Sequence, residues 1–161
     1  MFRHAVVAFL AMPGVVAFVV PWLLRPAAAR LQVAGLLPLG LGVVLLLWCV
    51  RDFYVAGRGS LAPWAPPERL VTVGLYRISR NPMYLAVLLI LVGWAVTFSA
   101  ARLWIYAGAI ATAFQLRIVA GEEPWLARRY GDEWAAYCAR VPRWLLPLPR
   151  SRHARDHREA D

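Results

Sequence analysis

Four stretches of this 161-residue chain are longer and more apolar than a water-soluble domain of its size tolerates. They run over about 5–24, 31–50, 82–99 and 102–120. Each is close to the ~20 residues that carry a helix across the hydrocarbon core of a bilayer. A helix satisfies its own backbone N–H and C=O groups, which is the condition for residence in lipid. Hydrophobic residues make up 61% of the chain, against roughly 45–50% in soluble domains, and a globule this small has too little interior to hide the excess. The pattern predicts an all-α integral membrane bundle of about four transmembrane helices, followed by a C-terminal interfacial amphipathic helix.

The first stretch also resembles a secretory leader, with a basic start over Met1–His4 and small residues at Ala27–Ala29. Its apolar run exceeds the 7–15 residues of a leader core, and Pro13 and Pro21 interrupt it. A retained span is the expectation.

Charge sets the orientation. The formal net charge is +9, and all 18 basic residues are arginine. Arg25, Arg30 and Arg102 lie on one side of the four stretches; every other arginine lies at the N-terminus, between the second and third stretch, or from the end of the fourth onward. Arginine-rich loops stay cytoplasmic. Both termini and the central loop are therefore expected in the cytosol, with the protein in the inner (cytoplasmic) membrane. Because the charges flank apolar runs, they mark a membrane surface, and no nucleic-acid partner is expected. Only a few residues near Ala100 separate the third and fourth stretches, which predicts a tight hairpin whose cytosolic ends lie together.

Residues 1–149 read as a single membrane domain. The central loop, about Arg51–Arg80, is punctuated by Gly57, Gly59, Pro63, Pro66 and Pro67, and Trp64 suits the headgroup region as an anchor. After the fourth stretch, Gly121 is placed to end the helix and Pro124 to start the next. Trp125, Leu126, Tyr130, Trp134, Tyr137 and Val141 then recur at helical spacing, predicting interfacial helices over about 124–140 with a break at Gly131. Residues 150–161 form a charged tail with the composition of a disordered segment.

Three polar features interrupt the apolar background. Gly74 to Tyr84 packs Arg77, Arg80, Asn81, Tyr76 and Tyr84 around the start of the third stretch. Pro82 fits a first helical turn, whose free N–H groups make that mouth partly positive. Glu122 and Glu123 sit at the end of the fourth stretch, where a helix C-terminus disfavours anions; compensation by the nearby arginines is expected. Arg117, with Gln115, lies inside the last turns of that stretch, and an intramembrane charge is a candidate for function. Together they predict one polar pocket at the cytosolic boundary, open to water on one side and lipid on the other. Cys49 and Cys138 show no pairing motif. His4, His153 and His157 have no metal-ligand spacing, so no metal site is expected. Two other readings are compatible with such a cluster: a membrane reductase using a nicotinamide cofactor, and a non-enzymatic accessory protein with a self-paired polar cluster.

These residues carry a resemblance. Gly74-Leu75-Tyr76-Arg77-Ile78-Ser79-Arg80-Asn81-Pro82-Met83-Tyr84, the pair Glu122-Glu123, and the segment from Tyr130 to Arg143 resemble, in order and spacing, the isoprenylcysteine carboxyl methyltransferase and phospholipid methyltransferase superfamily of membrane enzymes. Asn81 stands where many eukaryotic members have histidine, and Ala86 where glycine is usual. The resemblance implies S-adenosylmethionine as cofactor, with Arg80, Asn81, Tyr84, Glu122 and Glu123 holding it. Asn81 hydrogen-bonds but cannot titrate, so no base is expected there. Catalytic residues are not assigned, with Arg143 and Arg117 as weaker candidates. The implied acceptor is lipid-like or membrane-dissolved, a carboxylate or an amine, and no oligomeric state is implied.

Overall fold

The computed structural model describes residues 13–27, 31–57 and 70–145. The described residues contain helices and turns and no strand. A π-helical turn, Val15–Val19, leads into a short helix α1, Val20–Leu24. A 3₁₀ turn, Val33–Gly35, opens the long helix α2, Leu36–Gly57. A second 3₁₀ turn, Gly74–Arg77, precedes α3, Pro82–Phe98. Helix α4, Ala101–Arg117, continues through a π-helical turn, Ile118–Glu122, into α5, Glu123–Arg140.

Helices α2 and α3 form the centre, and glycine lets them approach. A Cβ on Gly35 would meet Thr97 at 2.2 Å, one on Gly42 would meet Ile90 at 2.7 Å, and one on Gly93 would meet the Leu39 backbone at 2.5 Å. Close backbone approach at small residues is how helices associate without a hydrophobic drive between them. The three contacts share one antiparallel register: position 35 faces 97, 39 faces 93, and 42 faces 90. The far end is stitched as well, by Gln32 N–H to the Thr97 carbonyl at 2.8 Å and by the Gln32 amide to the Ser99 hydroxyl. Ser99 takes a left-handed conformation, φ 45, turning the chain sharply into α4 and producing the expected hairpin.

Ala17, Leu46, Ala86, Val87, Ile90, Leu91 and Ala107 form the core. The outer face is the reverse of a soluble protein's: Leu37 is 77% exposed, Leu47 61% and Ile105 72%. Exposed apolar side chains in this number suit an apolar surrounding. Val33–Asp52 and Ala101–Arg140 are long and apolar enough to cross a membrane, while Val15–Leu24 and Pro82–Phe98 are shorter apolar helices.

Two expected boundaries move. Helix α2 does not stop at the start of the central loop but runs on through Arg51 and Asp52 to Gly57, because no helix breaker occurs before that glycine. The helix expected to end at Gly121 does not end. Pro124 has no N–H to return to residue 120, and the chain absorbs the defect by a π-turn in which Glu123 N–H bonds the Ile118 carbonyl. The break at Gly131 is present, at φ 49 and ψ −121, a conformation that favours glycine. Residues 5–12 of the first expected span, Trp64 and the tail 150–161 lie outside the described residues.

Candidate active site

The turn before α3 is built to aim side chains. Gly74 enters it at φ 58, and its Ile78 and Ser79 N–H groups both bond the Leu75 carbonyl. Asn81 precedes Pro82 but does not cap α3 with its side chain. Its amide instead donates to the Arg143 carbonyl at 3.0 Å, which also accepts from the Ser79 hydroxyl at 3.1 Å. Arg80 N–H donates to the Pro142 carbonyl at 2.9 Å. The segment Val141–Arg143, over sixty residues downstream, is thus clamped along Ser79–Asn81.

Helix α5 supplies the wall. After the kink at Gly131 its Trp134 and Tyr137 turn inward and are buried with Val141. The Tyr137 hydroxyl donates to the Tyr76 carbonyl at 2.7 Å. Burial pushes the Tyr137 phenol up to about 12, opposed by the Arg80 charge. Part of the apolar face expected to rest on lipid therefore packs on protein, because the kink redirects it.

Two ion clusters meet at this mouth. Glu122 accepts from the Tyr84 hydroxyl and from Arg117 Nε at 2.8 Å, and Arg117 Nε also lies 3.2 Å from the Tyr84 oxygen. The Tyr84 ring packs on Phe114 with centroids 4.4 Å apart. Glu123 takes a two-pronged contact from Arg143, Nε to Oε1 at 2.8 Å and Nη2 to Oε2 at 2.6 Å, and an Arg80 Nη1 contact at 3.2 Å. Successive helical residues point about 100° apart, so the two glutamates reach separate partners. Arg80 also touches the Cys138 sulfur and lies over the Trp134 ring, 5.6 Å from its centroid, and among the described residues its buried Nε has no hydrogen-bond partner. The bonds to Glu123 raise the Arg143 guanidinium above its ordinary range, against desolvation.

The five expected binding residues, Arg80, Asn81, Tyr84, Glu122 and Glu123, thus converge, and Arg143 and Arg117 each join a glutamate. Gln115 accepts from the Trp144 indole at 3.0 Å. The sequence model of the phospholipid methyltransferase family matches residues 31–133, well over half the chain. The chain belongs to that family. Its members are methyltransferases acting on lipid-like acceptors in membranes, and this family member is a membrane protein. No curated protein and no solved structure gives a significant match. The matched region holds α2, the Gly74 turn and both glutamates, but not Val141–Arg143, which the fold adds to the cluster.

One residue of this family member was not anticipated. Asp52, on the last turns of α2, is 6% exposed, and it lies against Gly74, whose added Cβ would sit 1.8 Å from Oδ2. The sequence signal is its isolation: it is the only acidic residue among the first 67, at the end of an apolar run. Tyr76 is buried here too, its phenol pushed well above the usual range by burial first and then by Cys49, Tyr137, Asp52 and Tyr84.

Proposed function

We propose that the protein transfers a methyl group from S-adenosylmethionine to a lipid-like, membrane-dissolved acceptor at the cytosolic face of the inner membrane. The observation that carries this reading is the junction of the two signature elements. Arg80–Tyr84 and Glu122–Glu123, some forty residues apart in sequence, are joined at one helix mouth by an Arg80–Glu123 ion pair and a hydrogen bond from the Tyr84 hydroxyl to Glu122. Four helices crossing the bilayer, both termini in the cytosol and one domain over 1–149 follow from the apolar stretches and the arginine asymmetry. On this reading the first half of α5 rests at the membrane surface.

The donor set fits the cofactor. S-adenosylmethionine supplies, when bound, an electrophilic methyl on a sulfonium, together with an ammonium, a carboxylate and a ribose diol. The buried and unpartnered Nε of Arg80 suits a carboxylate through a charge-assisted hydrogen bond. Glu122, with a side chain 34% exposed, is placed to receive a diol or ammonium. Asn81 has both donor and acceptor capacity, and the Tyr84 and Trp134 faces favour a cation. Arg143 orients Glu123, and Arg117 orients Glu122 and Tyr84. Arg80 and Arg143 share one carboxylate while Arg117 takes the other, so the cluster keeps a surplus positive charge that favours the carboxylate end of a zwitterionic ligand. Positioning and exclusion of water then supply most of the rate.

Calorimetry of the detergent-purified protein with S-adenosylmethionine tests this. Saturable binding is expected, weakened about tenfold in Tyr84→Phe. A folded, lipid-supplemented sample that binds none overturns the reading.

A further inference from the structure

Asp52 is more than nine-tenths buried, and its two oxygens are treated differently. Oδ1 is 3.3 Å from Arg51 Nη1, on a side chain 71% exposed, which is a weak surface pairing. Among the described residues Oδ2 has no hydrogen-bond partner. An unsatisfied buried carboxylate oxygen is costly, and the chain makes room for it: Gly74 stands where any Cβ would overlap that oxygen. The register of α2 on α3 places it relative to the ion clusters. Facing positions in that pairing sum to a constant (35 with 97, 39 with 93, 42 with 90), and the same register sets Asp52 level with Arg80, just before α3 begins. Gly74 itself is exposed, so the carboxylate lies one layer of backbone beneath the surface, at the depth of the site.

We infer that Asp52 receives an ammonium group in the occupied site, that of the acceptor's headgroup, through an N–H donated to Oδ2. This inference rests on the methyltransferase reading and adds a positioning residue to it. The shared chemistry is a cation carrying N–H, and two sources offer it: a lipid amine and the amino-acid end of S-adenosylmethionine. The lipid is favoured because Glu122, Glu123 and Arg80 already supply a site for the cofactor's charged end, whereas among the described residues Asp52 pairs only with Arg51 and with none of these. A quaternary trimethylammonium headgroup carries no N–H and cannot make the contact.

The test titrates the full-length protein in detergent with short-chain phosphatidylethanolamine, short-chain phosphatidylcholine and S-adenosylmethionine separately, in wild type and Asp52→Asn. Phosphatidylethanolamine is expected to bind wild type at least tenfold more tightly than phosphatidylcholine, with the difference lost in Asp52→Asn and S-adenosylmethionine affinity kept. If Asp52→Asn instead weakens S-adenosylmethionine tenfold, the ammonium received is the cofactor's and the docking role stands. Unchanged affinity for all three ligands overturns the inference. A wild type that fails to bind S-adenosylmethionine but discriminates the two lipids refutes the cofactor reading alone. A thermal melt separates docking from structure. Asparagine removes a buried charge held only by a weak surface pairing, so a docking residue gives a variant at least as stable as wild type, whereas a structural role predicts a lower midpoint.

Discussion

Replacing either partner of the Glu123–Arg143 contact breaks the same two hydrogen bonds, yet the costs should differ. Glu123 is shared: it holds Arg143 at 2.8 and 2.6 Å and Arg80 at 3.2 Å. In Arg143→Gln the carboxylate keeps Arg80, and the loss is one part-exposed pair, about 1 kcal/mol. In Glu123→Gln two guanidinium groups, with side chains 11% and 23% exposed, face each other with no anion. Removing one partner of a fully buried pair costs about 3–5 kcal/mol; the partial exposure brings the expectation to about 3 kcal/mol. For a chain of this size that is a fall of roughly 6–12 °C in the unfolding midpoint for Glu123→Gln, against roughly 2–4 °C for Arg143→Gln. Differential scanning fluorimetry in one detergent reads both. Sulfate should restore part of the Glu123→Gln loss, because an anion can re-enter between the arginines, and should leave Arg143→Gln unmoved. Equal losses in the two variants, or no sulfate effect in Glu123→Gln, would refute the shared-anion geometry.

Packing and pH give two further tests. Gly93→Ala puts a methyl 2.5 Å from the Leu39 backbone, with nothing flexible to yield, and should cost about 3 kcal/mol; Gly108→Ala, with nothing within 4 Å, should be neutral or stabilising by up to about 1 kcal/mol. Thermal melts of the pair decide, and equal effects would contradict the α2–α3 register. The Tyr137 phenol is raised to about 12 in the native state from about 10 unfolded, so the neutral form is the one the fold prefers. That contribution is complete below about pH 10 and is lost as pH rises from about 10 through about 12. Melts of wild type should fall across that window, and Tyr137→Phe should start lower, lacking its bond to the Tyr76 carbonyl, but fall less steeply; parallel declines would remove Tyr137 from the account.

Sequence and fold agree where a single local rule decides. Apolar length set the helices of the hairpin, because nothing in 82–98 or 101–117 competes with helix, and Gly131 marked a kink because the position needs a positive φ. The ion clusters were legible in part: two acids beside an apolar run demand cations, and the hairpin brings Arg80 of the α3 mouth to Glu123, but the other partners, Arg117 on α4 itself and Arg143 downstream, were not read from that rule. Boundaries failed where two rules met. Gly121 and Pro124 both signal an end, but a π-turn answers the missing proline N–H without breaking the helix, and no residue type announces that choice. The inward turn of Trp134 and Tyr137 was invisible for a similar reason, since helical spacing gives a face and not what covers it.

Asp52 shows what tertiary register adds. As a letter it is one acid at the end of an apolar run, ordinary for a helix that is leaving a membrane. Gly74 is equally ordinary, a turn glycine at positive φ. Only in the fold do the two meet, the Gly74 turn lying directly against the Asp52 carboxylate, and then each explains the other. The glycine is required both by its backbone angle and by the carboxylate beside it, and the carboxylate has a free oxygen because the glycine leaves it space. A fold that needed only a turn could place asparagine at position 74 and let water or an arginine take the acid. Keeping a buried carboxylate with only a weak surface pairing to Arg51 and one unsatisfied oxygen beneath that turn lowers stability, and such a cost is sustained where a ligand supplies the missing partner.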